Sequence, residues 1–137
     1  MTATIIAVGT LAKQAVDATQ AGIRRYKNAP TDIFELSCQV KKISFIVESI
    51  SDLCRNSNLN IERQLGSTNL EDCLEQTCQT LNSIKDVFTS EIHQSAKRNA
   101  CARVKSAFYK EAQIKEWNMR LQSNLLDLTV ILSLVSM

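Results

Sequence analysis

The chain has 137 residues with only three glycines, one proline and 5% aromatics. At roughly 100–200 residues per domain this is one domain, residues 1–137, and four punctuating residues cannot turn the many short strands of a sandwich or barrel. Hydrophobic residues at 45% and charged residues at 22% exclude a disordered chain, and the net charge of +2 is uneven, with residues 1–29 and 97–120 basic and 30–96 acidic.

Few, long helices are the remaining reading. The first is expected over about Thr4–Lys27, with Ile5, Val8, Ala12, Ala15, Thr19, Gly22 and Tyr26 facing inward. These positions shift from bulky to small, which suits close helix approach. Gly9 and Gly22 each cost roughly 1 kcal/mol of helix propensity relative to Ala, so this helix is expected to depend on docking. Its start, Thr2–Ala12, is apolar and no basic residue precedes it. That argues against a secretory leader, and the run is far short of the roughly 20 residues that span a bilayer. Ile5, Ile6, Val8, Gly9 and Leu11 are therefore a candidate element for insertion into a membrane surface or a partner chain. The competing reading is an ordinary bundle helix.

Asn28-Ala29-Pro30-Thr31-Asp32 reads as the start of the second helix, with proline near the first helical position and an acid in the first turn. Ile33, Leu36, Val40, Ile43, Val47, Ile50 and Cys54 then recur alternately three and four apart, a heptad seam. Phe34, Phe45, Ile46 and Leu53 are expected to widen that apolar face. Arg55–Thr68 reads as a long loop. Asn69 is the expected N-cap of a third helix, followed by Glu71 and Asp72 and by a seam of Leu70, Leu74, Thr77, Leu81, Ile84 and Phe88. Ala102–Phe108 suggests a short helix before a bend near Phe108–Glu111. A long last helix should run from about Lys110 to Val135, with Ile114, Trp117, Leu121, Leu125, Leu128, Leu132 and Val135 on its face. The fold class that follows is all-α, an antiparallel bundle of four long helices. The apolar end of the last helix, Leu125–Met137, would offer an interface wherever it is not core.

The chemistry-bearing residues are sparse. Five cysteines without a C-x-x-C pair fit neither a closed disulfide framework nor a zinc site, so reduced thiols, no metal and no cofactor are expected. Glu91 and His93 are two apart and point in different directions on a helix. No nucleophile–base arrangement or phosphate loop is readable, which leans against an enzyme. Lys97, Arg98, Arg103, Lys105 and Lys110 form a basic cluster that could meet anionic lipid or a partner, or simply a solvated connection. Scarce aromatics argue against nucleic acid. Tyr109 and Trp117 would line a small-molecule pocket, if one exists; a seam position makes Trp117 first a core residue.

Three stretches carry a family resemblance. Lys27-Asn28-Ala29-Pro30-Thr31-Asp32-Ile33, with Leu36, is similar to a K-N-A-P-x-D-[IV]-x-x-L junction; Arg103–Lys110 is similar to R-[LV]-K-W-[AP]-F-x-K; and Leu121–Leu134 resembles the leucine-rich ending of the same domain. The chain thereby resembles the HeLo-like group of fungal N-terminal domains, found ahead of nucleotide-binding STAND (NLR-like) receptors and including the N-terminal domain named after azaphilone pigment cluster protein L. It departs from the pattern at Ser106, where the family usually has Trp, and Arg55–Asn69 has no diagnostic residue. The resemblance implies a cytoplasmic signalling or effector bundle that acts by protein association. It also implies membrane engagement through the N-terminal helix in regulated cell death, at the plasma membrane on activation. Two alternatives stay open: a small-molecule-binding or accessory protein of a fungal secondary-metabolite cluster, and a purely structural oligomerisation module.

Overall fold

A computed structural model describes residues 2–25, 31–55, 68–95 and 111–136. The described residues form four helices: α1, Thr2–Arg25; α2, Thr31–Arg55; α3, Leu70–Ser95; and α4, Glu111–Ser136. The bundle is all-α, as the periodicity requires. The expected short helix over Ala102–Phe108, the long loop at 56–67 and the bend before Glu111 lie outside the described residues, as do Tyr26 and Pro30.

The seams of α1, α2 and α3 are buried where the spacing places them, except at half-buried Cys54. On α4 the buried face is Ile114, Trp117, Leu121, Asn124, Leu128 and Ile131, and the expected Leu125 and Leu132 are only half-buried because the helix turns that face toward α3. Ile5, Val8, Ala12 and Ala15 of α1 meet Leu36, Val40, Ile43 and Ile50 of α2, Leu74, Leu81 and Ile84 of α3, and Leu121 and Leu128 of α4 in one core. Two threonines occupy seam positions without leaving a hydroxyl unsatisfied. Thr19 donates to the carbonyls of Ala15 and Val16, each at 3.0 Å, and Thr77 donates to that of Cys73 at 2.7 Å. The start of α3 departs from expectation in its cap. The Asn69 carbonyl accepts from the Cys73 amide at 2.9 Å, as an N-cap carbonyl does, but the side-chain acceptor is Thr68, whose Oγ1 takes the Leu70 amide at 3.3 Å. In α2, Phe34 and Phe45 do not widen the buried face; both are exposed, Phe45 by 73%. At 100° per residue they lie nearly opposite the Ile33–Ile50 seam, so size and apolarity could not bring them inward.

Direction and neighbourhood are separate matters in this bundle. Gly9 of α1 faces Val47 of α2, and only residues 26–30 separate the two helices, so they run antiparallel. Asn118 Nδ2 donates to the Asp32 carbonyl at 3.1 Å near the start of α4 and α2. Leu125 and Thr129 lie beside Phe45 and Ile46 further along both, so α2 and α4 run parallel. Cys73 meets Asn124 at one end of the α3/α4 pair and Phe88 meets Trp117 toward the other, so these run antiparallel. Every helix therefore reverses its predecessor. Around the core, however, the order is α1, α2, α4, α3, because α1 packs on α2 and α3, and α4 packs on α2 and α3. Helices α2 and α3 stand at opposite corners, about 13 Å apart for interaxial distances of 8–10 Å. The long stretch between Arg55 and Thr68 thus connects diagonal helices, which a tight helix–helix turn could not do.

Candidate functional site

The candidate insertion element is divided by its own helical phase. Ile5, Val8 and Leu11 are in the core, Gly9 is half-buried, and Ile6 is 45% exposed. Ile6 and Gly9, with Lys13 on the same helix, face Glu48, Asp52 and Arg55 of α2 across an open groove. Its walls carry both signs of charge. Gly22, near the other end of α1, is buried, and a Cβ built on it would lie 2.8 Å and 2.9 Å from two atoms of the Phe88 ring. The small-residue end of α1 is thus a close approach to α3.

The basic cluster Lys97, Arg98, Arg103, Lys105 and Lys110 and the pocket candidate Tyr109 lie outside the described residues. Trp117 is buried in the core, 6.4 Å centroid to centroid from Phe88 at 41°, and lines neither the α1/α2 groove nor the grooves that flank α4. Among the described residues no three His, Cys, Asp or Glu side chains gather into a metal-binding group. No helix there is long and apolar enough to cross a membrane.

Among the described residues, the one strongly perturbed group is Cys73. Burial, and then the negative charge of Asp127, push its thiol up from 9.0 to about 11; the Thr77 hydroxyl opposes this. Its Sγ donates to the Asn124 carbonyl at 3.7 Å. A thiol held neutral in this way is a poor nucleophile at neutral pH. Two buried amide oxygens, Gln39 Oε1 and Asn118 Oδ1, have no hydrogen-bond partner. They sit on neighbouring α2 and α4.

The most unusual surface is the outer side of α4. Met119, Leu126, Val130 and Leu134 are all between 56% and 72% exposed. Met119, Leu126 and Val130 fall within about 40° on the helix, and Leu134 lies just beside them, all opposite the Ile114–Ile131 core face. From Leu121 to Ser136 the only charge is Asp127. Phe45 of α2 extends this patch across a shallow apolar groove floored by Ile46 and Leu125 and edged by Lys41 and Lys42. On the other flank, α3 and α4 form a second groove that holds Asp72 and Asp127. The apolarity of Leu125–Met137 was legible in the sequence. Its division into a core face (Leu128, Ile131) and an outward face (Leu126, Val130, Leu134) appears only once the phase of α4 is set by its neighbours.

Compared with models of known protein families, with curated proteins and with solved structures, the chain matches none.

Proposed function

We propose that this chain is an association module of a signalling or effector protein, of the kind the HeLo-like resemblance implies for fungal STAND receptors. The observation that carries the reading is the outward stripe of α4. Scattered exposed leucines are normal on protein surfaces, but four large apolar side chains aligned opposite the core, on a helix whose residues 121–136 carry a single charge, make a contiguous patch of the sort that marks interaction sites. The described thiols and carboxylates do not assemble into a reaction centre. The grooves are open and Trp117 is walled in, so the small-molecule alternative has less support.

Membrane engagement through α1 is the second step of this proposal, and its cost orders the two. Pulling α1 from the bundle exposes Ile5, Val8 and Leu11, at about 1.5–3 kcal/mol each. The sum, about 5–9 kcal/mol, is comparable to the whole stability of an ordinary domain, about 5–15 kcal/mol. A resting bundle therefore keeps α1 docked. Association, or a trigger from the attached receptor, must offset that cost before α1 meets lipid. The basic Lys97–Lys110 cluster would then draw the protein to an anionic cytoplasmic leaflet at about 1 kcal/mol per residue, the peripheral location expected of a cell-death effector.

Light scattering over a concentration series, with co-sedimentation on phosphatidylserine–phosphatidylcholine vesicles, tests the reading. The expected result is a mass that rises above the 15.3 kDa monomer and vesicle binding that requires phosphatidylserine. Ile6→Ser, at the exposed position, should weaken vesicle binding without unfolding the bundle. A 15.3 kDa species at every concentration, together with vesicles neither bound nor leaking, would sink the proposal.

A further inference from the structure

We infer that the outer face of α4 pairs with the same face of a second copy, the two α4 helices running parallel about a two-fold axis along their length. The inference rests on the association reading above and assigns it a surface, a partner and an orientation.

The seam comes first. Met119, Ser123, Leu126, Val130 and Ser133 are spaced alternately four and three apart on the side of α4 that faces away from the core. This is a second heptad stripe on a helix that already spends one seam inside its own bundle. Leu126 and Val130 alternate as a γ-branched and a β-branched residue at adjacent layers, the combination that favours two parallel strands. The two serines keep the stripe free of charge and small enough for close approach.

The flanks decide the orientation. Lys41 and Lys42 edge the groove on the α2 side, level with Leu125 and Thr129 of α4. Asp127 lies between those two residues in sequence but turns toward α3, where it shares the second groove with Asp72. One side of the stripe is therefore basic and the other acidic at the same height. A two-fold axis along α4 exchanges the sides, so Lys41 and Lys42 of each copy face Asp72 and Asp127 of the other. An axis across α4 would make the helices antiparallel and leave each side opposite itself, with lysines against lysines and aspartates against aspartates. Such like-charge juxtaposition is unfavourable. Opposite flanks and an uncharged seam thus favour the same isologous, parallel pair.

The test is sedimentation equilibrium of the full chain carrying substitutions only at exposed positions, with circular dichroism to confirm the fold. Val130→Glu should weaken dimerisation about tenfold or more. Lys42→Asp alone should also weaken it, Asp127→Lys alone likewise, and the double exchange Lys42→Asp/Asp127→Lys should restore it. A dimer indifferent to Val130→Glu would overturn this face while leaving the association reading intact. If Val130→Glu dissociates the dimer but the double exchange fails to rescue the single ones, the parallel orientation is wrong. A monomeric wild-type chain that still binds anionic vesicles would remove the dimer and spare the proposed function.

Discussion

Gly22 lends itself to a quantitative test because two opposing terms meet at one atom. Replacing it with alanine adds a methyl group inside α1 and should gain roughly 1 kcal/mol of helix propensity. That methyl would lie 2.8 Å from Cδ1 and 2.9 Å from Cε1 of Phe88, well inside van der Waals contact. The Phe88 ring cannot simply swing aside, because it is buried and leans on Trp117 with centroids 6.4 Å apart. Overpacking of this kind costs about 1–3 kcal/mol, so Gly22→Ala should come out neutral to destabilised by about 2 kcal/mol. Gly9 supplies the internal control. A Cβ there would sit 3.7 Å from Val47, an ordinary contact, so Gly9→Ala should keep the propensity gain and stabilise the bundle by up to about 1 kcal/mol. Urea unfolding followed by circular dichroism gives both values, and unchanged m-values would confirm that the folded and unfolded states stay comparable. Gly22→Ala/Phe88→Leu should recover part of the loss relative to Phe88→Leu alone, because the ring is the obstacle. A Gly22→Ala variant as stable as Gly9→Ala would refute the close approach of α1 to α3.

The thiol of Cys73 makes stability depend on pH in the alkaline range. Its folded-state value lies above its ordinary one, so the folded chain holds the proton more tightly. The contribution is fully present below pH 9 and lost as pH rises toward about 11, a decline of about 2–3 kcal/mol. Denaturant titrations at pH 8 and pH 10.5 should show this decline in the wild type and less of it in Cys73→Ala. In the same vein, iodoacetamide should label exposed Cys38 while sparing buried Cys73 until the chain unfolds; equal labelling rates would contradict the assigned burial. Ile5→Ala should cost about 2–5 kcal/mol, as a large core truncation does, whereas Ile6→Ala, one position along, should cost less than about 1 kcal/mol. Equal losses in thermal or urea unfolding would mean that α1 docks in another phase. Gln39→Leu removes a buried amide oxygen that has no partner and should stabilise the bundle by about 1 kcal/mol. Destabilisation measured in the same assay would show that this oxygen is satisfied in solution.

Much of the fold was legible because helical burial is a local pattern. The heptad spacings of Ile33–Ile50 and Leu70–Phe88 phase each helix against a core that need not be known in advance. The expected spans Thr4–Lys27 and Lys110–Val135 lie within two residues of the described Thr2–Arg25 and Glu111–Ser136, with capping at α3 shifted from the Asn69 side chain to Thr68 because either oxygen can reach the first free amides. Where chain-local logic failed, geometry beyond one helix was at stake. Phe34 and Phe45 look like core by composition, yet their angular position puts them outside. The small residue at Gly22 predicts a close helix approach, but only the packing of α3 reveals that Phe88 is what a side chain there would strike.

The amino-acid sequence by itself determined that this is an all-α bundle of long helices, which stripe of the first three is buried, and that the last helix carries a single charge beyond Arg120. Periodicity cannot say which helix stands beside which, because a seam is satisfied by any complementary apolar face. Only the tertiary structure decided the order α1, α2, α4, α3, with α2 and α3 at opposite corners. That order sets Lys41 and Lys42 on one side of the outward α4 stripe and Asp72 and Asp127 on the other. It is this placement, rather than any motif along the chain, that turns an apolar helix end into a surface with a direction.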